Sequence, residues 1–215
     1  VQRALIERLL PSYVAGAEAR SDAADDALHP EERSAVAGVS EGRRREFTTV
    51  RHCARRALSA LGHAPAPLIP DARGVPRWPD GVVGSMTHCR GYRAAVVARQ
   101  YDMRALGVDA EPWRPLSEGV LGTVSLPGER ERLAALEASY SRLACWDRLL
   151  FCAKEAVYKA WFPDTGTELT FRDVSVEFDP TDHTFRATVL APYRRDFTGR
   201  WLARDGILLA VAFDG

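Results

Sequence analysis

The residues best equipped for chemistry fall in two short segments, "GVDAEPW" at 107–113 and "FCAKEAVYKAWFP" at 151–163. In the first, Asp109 and Glu111 alternate along a strand-like run. Both carboxylates then face one side, roughly 7 Å apart along the chain. Like charges so placed repel unless a cation lies between them; the plainer reading is an exposed edge with solvated acids. In the second segment Glu155 stands between Lys154 and Lys159. Glu155 and Lys159 share a helix face. Arg148 lies near that face, and Lys154 sits one step round, above Asp147. Leu143, Leu150, Val157 and Trp161 cover the opposite side. On a generic helix this is a solvated face with one ion pair contributing a few tenths of a kcal/mol. Joined to Asp109 and Glu111, however, Glu155 completes three hard oxygen donors suited to Mg²⁺, with water and phosphate oxygens in the remaining positions.

The lysines sharpen the point. Of 29 lysines and arginines only Lys154 and Lys159 are lysine. A coding bias accounts for the scarcity but not for both falling within six residues. Lysine is a compact point charge that can give up a proton; arginine is a planar fork that cannot. A third group of residues is cationic: Arg43, Arg44, Arg45 and Arg51 on an early helix, Arg73 in a loop, and His88 beside Thr87, ahead of Gly91 and Tyr92. Guanidinium forks and an imidazolium suit a terminal phosphate, although "GRRRE" taken alone reads as a solvated helix start. Together the groups describe a site for a substrate with phosphates in two places, one terminal and one a pyrophosphate. G-x-x-x-x-G-K-[ST], G-x-G-x-x-G, the nucleophile elbow and H-E-x-x-H are all absent.

These residues need elements to hold them. Phe47, Val50, Ala54, Ala57, Leu58 and Leu61 repeat at helical spacing, and Gly62 ends that helix. Residues 64–81 form a Pro/Gly-rich connection. "VVGSMTHCRGYRAAVVARQ" reads as two strands about a turn at Arg90-Gly91. In "RALGVDAEPW", Leu106, Val108 and Ala110 face one way, and Gly107, Asp109 and Glu111 the other; Pro112 ends the run. Residues 113–140 hold one or two helical pieces. The longest helical pattern, 141–162, is predicted to stop at Pro163. "VSVEF", "TFRATVL", "RWLAR" and "ILLAVAF" read as strands, the last two joined by an Asp205-Gly206 hairpin turn. Each half thus reads as a long helix followed by strands. The expectation is an α+β fold of two similar lobes, 1–103 and 104–215, meeting near residues 100–112.

Composition bounds the rest. The chain has 215 residues, 46% hydrophobic and 27% charged, with zero formal net charge. This is ordinary for a globular protein and disfavours a general nucleic-acid binder. No apolar run is long enough to span a membrane, and the first residues lack the apolar core of a signal peptide. Cys53, Cys89, Cys145 and Cys152 show no C-x-x-C pairing, so reduced thiols in a cytoplasmic protein are expected. A zinc site from His52-Cys53 and His88-Cys89 is disfavoured by its adjacent ligands.

"GVDAEPW", followed some forty residues later by "FCAKEAVYKAWFP", resembles the signature pair of the 4′-phosphopantetheinyl transferases. "GSMTHCRGYRAAVVA" is similar to that family's His-containing segment, and "RRREFTTVRHCARRAL" to the early helix of the larger, single-chain Sfp/EntD type. The resemblance implies a pseudo-twofold α+β fold with coenzyme A in the cleft. It also implies transfer of the phosphopantetheine arm to a serine of an apo acyl or peptidyl carrier protein, releasing adenosine 3′,5′-bisphosphate. Polyketide, nonribosomal-peptide and fatty-acid carriers all qualify, and a monomer is implied. Residue by residue, Asp109, Glu111 and Glu155 match the Mg²⁺ (or Mn²⁺) carboxylates, and Lys154 and Lys159 the lysines of K-E-x-x-x-K. His88 and Thr87, with Arg43 (or Arg44), Arg51 and Arg73, match the 3′-phosphate site; Arg73 stands where a lysine is common. Lys154 is expected at the pyrophosphate or orienting Glu155. Tyr158, Trp113 and Phe162 are candidates to line the pantetheine path. The alternatives are another Mg²⁺-dependent phosphotransferase, or an inactive carrier-binding module, which would lack one of the three carboxylates.

Overall fold

β3, Tyr92–Arg99, shows how the chain divides its apolar residues. Ala95 and Val97 pack with Cys53, Ala54, Ala57 and Leu58 of helix α1, Glu41–Ala60. Tyr92, Ala94, Val96 and Ala98 point the other way, into a central core with Leu106, Val108 and Ala110 of β4, Ala105–Pro112. A strand buried on both faces needs a partner layer on each side. The computed structural model, which describes residues 4–24 and 27–214, supplies both.

The first sheet has the order β1-β3-β2, with β1 at Val14–Ala19 and β2 at Val82–Cys89. The second has the order β4-β8-β7-β6-β5, with β5 Val174–Asp179, β6 Thr184–Val189, β7 Arg195–Arg204 and β8 Ile207–Asp214. Every pairing is antiparallel. α1 covers the outer face of the first sheet, and α4, Trp146–Thr165, that of the second. Two shorter helices, α2 (Val120–Val124) and α3 (Pro127–Tyr140), lead into α4. The expected α+β fold is present. In each lobe the first strand pairs with the last: β1 with β3, and β4 with β8.

Two local expectations change, while the lobes carry three strands and five. Strand β1 was not anticipated: "VAGAEA" has only one β-branched residue and no alternation, and its pairing with β3 is tertiary in origin. Pro163 does not stop α4. It sits in the last turn, and the helix closes at Gly166, whose φ of 66° lets its N–H reach the Phe162 carbonyl at 2.8 Å. Gly62, by contrast, does follow the end of α1, with φ 86°. Asp205 and Gly206 both take positive φ in the β7–β8 hairpin, as their identity predicts.

The lobes share one internal device. Pro30 and Pro127 each open a helical turn, two residues ahead of a glutamate that is almost wholly buried, Glu32 and Glu129. Glu32 accepts from Arg55 of α1 (2.8 Å) and from Leu68 N (2.7 Å). Glu129 accepts from Lys154 of α4 and from Val176 N, both at 2.7 Å. Each carboxylate therefore ties the long helix of its lobe to a later backbone segment. An ionised group so deeply buried is tolerable only when paired in this way.

Gly107 fixes the distance between β4 and α4. A Cβ there would lie 1.9 Å from the Ala156 carbonyl oxygen and 2.7 Å from Ala160 N. Only glycine lets the strand backbone come this close to the helix, and this approach puts Asp109 beside Lys159. Gly107→Ala is expected to destabilise the chain by at least about 1–3 kcal/mol, because helix and strand backbones must part. A urea titration with unchanged slope and a lowered midpoint checks this; an unmoved midpoint would show that the contact relaxes freely.

Candidate active site

Between the lobes β2 runs beside β4, but no backbone ladder joins them. Side-chain hydroxyls of β2 take the place of carbonyls. Ser85 Oγ accepts from Val108 N at 3.1 Å, and Thr87 Oγ1 accepts from Ala110 N at 2.9 Å. Thr87 is buried and donates to Asp109 Oδ1 at 3.2 Å. Its place is at the seam, holding the carboxylate rather than reaching open solvent.

The carboxylates gather at this seam. Lys159 Nζ donates to Asp109 Oδ1 at 2.6 Å and to the Val108 carbonyl at 3.2 Å. Asp109 Oδ2 is buried with no hydrogen-bond partner. Arg148 Nη1 donates to Glu111 Oε2 at 2.8 Å. Glu155 makes no hydrogen bond or ion pair among the described residues. Burial, then the Asp109 charge, pushes the Glu111 carboxyl above the usual range, against the pull of Arg148. Burial and Asp109 push Glu155 up as well, Lys159 opposing. Lys159 rises despite its burial because Asp109 and Glu155 hold its proton.

Among the described residues no three of these side chains are drawn into a finished cation cage. The donor set nevertheless fits a divalent cation. It is all hard oxygen, the three acids repel one another, and one buried carboxylate oxygen has nothing to bind. Lys159 and Arg148 each offset one acid; Glu155 has no such partner.

Beside the seam lies a cleft of about 530 Å³ between the lobes, walled by α1, residues 70–76, β2 and α4. Arg43, Arg51, Arg73, His88 and Lys159 all stand on its wall; Arg44 does not. Arg43 Nη1 lies 2.8 Å from His88 Nε2, so the imidazole accepts there, and Glu46 flanks both the guanidinium and the imidazole. Burial lowers the His88 pKa, as do Arg43 and Lys159, while Glu46 opposes them. Arg51 is buried and stacked over Phe47 at 3.2 Å, and donates through Nε to the Leu68 carbonyl. Its pKa falls to about 10, chiefly through burial, and its two terminal nitrogens carry no hydrogen bond among the described residues. Arg73 donates to the Gly166 carbonyl at 3.1 Å and faces the Phe162 ring. Tyr158 stacks on Phe162 at 5.5 Å and donates to Glu168 at 2.6 Å, both rings on the cleft wall. Trp113 packs instead against the core of the second lobe.

Lys154 corrects the sequence reading. The residue is 2% exposed, and its ammonium donates to Glu129 at 2.7 Å, to the Phe171 carbonyl at 2.7 Å and to the Val124 carbonyl at 2.9 Å. All three donor positions are used by the protein, away from Glu155. Burial lowers its pKa, Glu129 opposing. Two site residues were missed. Glu46 could have been found at i+3 from Arg43 on one helix face. Glu168 lies in a loop that carries no periodic signal.

Comparison with known proteins gives the family. Residues 31–98 match the model of the 4′-phosphopantetheinyl transferase N-terminal domain, and residues 105–212 that of the 4′-phosphopantetheinyl transferase superfamily. The chain is similar to 4′-phosphopantetheinyl transferase Svp of Streptomyces mobaraensis, at 52% identity over 96% of this chain and 88% of that one. It is also similar to 4′-phosphopantetheinyl transferase Npt of Nocardia iowensis, at 45% identity over 97% and 100%. With 4′-phosphopantetheinyl transferase PptT of Mycobacterium tuberculosis it shares 44% identity over 96% of each chain. The chain belongs to the 4′-phosphopantetheinyl transferase family.

Proposed function

We propose that this enzyme moves the 4′-phosphopantetheine arm of coenzyme A onto a serine of an apo acyl or peptidyl carrier protein, releasing adenosine 3′,5′-bisphosphate. The observation that carries this is the adjacency of two sites at one seam: a cleft walled by Arg43, Arg51, Arg73 and His88, and the Asp109, Glu111 and Glu155 carboxylates next to it. One suits a terminal phosphate; the other suits a pyrophosphate with its counter-ion. The division at 103/104 then gives the first lobe most of the phosphate-binding cations and the second the carboxylates.

Positioning and charge stabilisation dominate phosphoryl transfer. Asp109, Glu111 and Glu155 would hold Mg²⁺ or Mn²⁺, which when bound offsets and polarises the pyrophosphate. Glu155, its basicity raised by burial, takes the proton of the carrier serine. The serine oxygen attacks the pantetheine-side phosphorus, and the bond to the adenosine-side phosphate breaks. Lys159, which pairs with Asp109 and lines the cleft, would neutralise the leaving phosphate. Lys154 has no direct part in this scheme. The decisive test is the mass of an apo carrier protein incubated with coenzyme A and the enzyme, with and without EDTA. One added phosphopantetheine arm in the magnesium sample only is expected; an unmodified carrier in both would refute the assignment.

Removing the 3′-phosphate should weaken binding. A hydrogen bond to a charged group contributes about 1.5–3 kcal/mol, so 3′-dephospho-coenzyme A is expected to bind at least about tenfold more weakly by calorimetry. The difference should also depend on pH. The free His88 has a lowered pKa, and a phosphate beside it raises that value. Binding then takes up a proton between the two values, and affinity falls as pH rises through the liganded one. Equal affinities for the two compounds would assign the cations another task.

A further inference from the structure

We infer that Arg148 is a positioning residue for the metal-binding carboxylates, fixing Glu111 relative to Glu155 through the first turn of α4. The inference rests on the proposed function and goes beyond the residues that the family motifs single out.

Arg148 uses all three faces of its guanidinium. Nη1 donates to Glu111 Oε2 at 2.8 Å, Nη2 to the Pro115 carbonyl at 2.9 Å, and Nε to the Arg114 carbonyl at 3.2 Å. The ion pair is screened from solvent, its side chains 14% and 18% exposed. Asp147, the preceding residue, accepts from Leu116 N at 2.8 Å and from Arg148 N at 2.7 Å. Thus the first turn of α4 grips residues 114–116 where the chain leaves β4. The other side of that exit is held by Trp113 N on the Gly206 carbonyl, at 2.8 Å.

Glu111 is therefore held through one oxygen, Oε2, while Oε1 carries no hydrogen bond among the described residues. Arg148 lies two helical turns before Glu155 on α4, near the same face. A single rigid helix thus presents one acid directly, Glu155, and orients a second, Glu111, through a planar fork. An arrangement built only for charge would be served by lysine. Three acceptors lying around one guanidinium call for the fork, which an ammonium cannot reproduce. Partners of this kind around metal-binding groups typically contribute 10–100-fold in metal affinity.

Arg148→Lys keeps the charge and loses the fork; Arg148→Met loses both. Free Mn²⁺ measured by electron paramagnetic resonance, with coenzyme A present, gives metal affinity without reference to turnover. Melting curves, and coenzyme A affinity in EDTA, accompany it. The expected result is an Mn²⁺ dissociation constant raised about tenfold or more in both variants, with metal-free coenzyme A affinity within about twofold of the parent. In the Arg148→Met background, adding Glu111→Gln should weaken Mn²⁺ binding by less than Glu111→Gln does alone. Variants that melt lower yet bind Mn²⁺ like the parent would show a purely structural contact and overturn the inference. A parent that modifies the carrier but binds no Mn²⁺ would also overturn it, while leaving the transferase assignment standing. A parent that does neither removes both.

Discussion

Glu155→Gln is expected to lower the transfer rate by at least about 100-fold while the protein melts no lower than its parent. General base catalysis contributes about 10²–10⁴-fold, and under the proposed mechanism the same carboxylate would also help hold the divalent cation. The stability half of the expectation follows from the folded protein. Glu155 is half-buried, accepts no hydrogen bond among the described residues, and has Asp109 and Glu111 as neighbouring acids. Its pKa is accordingly raised. A carboxylate with a raised folded pKa costs stability once ionised, from its unfolded value upward. Glutamine removes that charge at nearly constant shape. Loss of rate without loss of melting temperature marks a residue kept for chemistry against its own contribution to folding. Single-turnover kinetics on a saturating carrier, beside a thermal melt at neutral pH, measure both. A variant retaining more than about a tenth of the parent rate would remove Glu155 from proton transfer.

Much of this arrangement could be read before the fold was known, and the reasons are local. Strand alternation puts Leu106, Val108 and Ala110 on one face and Gly107, Asp109 and Glu111 on the other, and the two cores divide on that alternation. Helical spacing puts Glu155, Lys159 and Arg148 near one face of α4, and each meets the seam or its exit. What could not be read depends on distant partners. β1 takes its conformation from β3, about eighty residues away. The helix periodicity placed Lys154 one step from Glu155 but gave no hint of Glu129, which reaches it from the start of α3. Nor does the sequence reveal that Ser85 and Thr87 bridge the sheets by their hydroxyls, because a hydroxyl on a strand usually meets water or its own backbone.

The two lysines of the chain therefore answer to different needs. Lys159 faces the cleft; Lys154 fills a closed slot. For Lys154 the larger effect should be on stability. Lys154→Met leaves Glu129, 1% exposed, without its cation. Breaking a buried pair from one side costs about 3–5 kcal/mol, which for a chain of this size lowers the melting temperature by about 2–4 °C per kcal/mol. Glu129 also accepts from Val176 N and Leu126 N, so the loss should loosen β5 and the start of α3 together. Lys154→Arg keeps the charge but must fit a larger planar group among Glu129 and the Val124 and Phe171 carbonyls, an overpacking that costs about 1–3 kcal/mol. Adding Glu129→Gln to Lys154→Met should cost less than the two changes separately, since the second change removes the charge that the first left unpaired. Well below the melting temperature, each variant that folds is expected to transfer within about threefold of the parent. Had the ammonium served the pyrophosphate instead, the pattern would invert, with an unmoved melting curve and a rate down tenfold or more. Three filled acceptor positions around one nitrogen leave no donor for such a task, which is why stability and rate should separate at Lys154 in the opposite sense to Glu155.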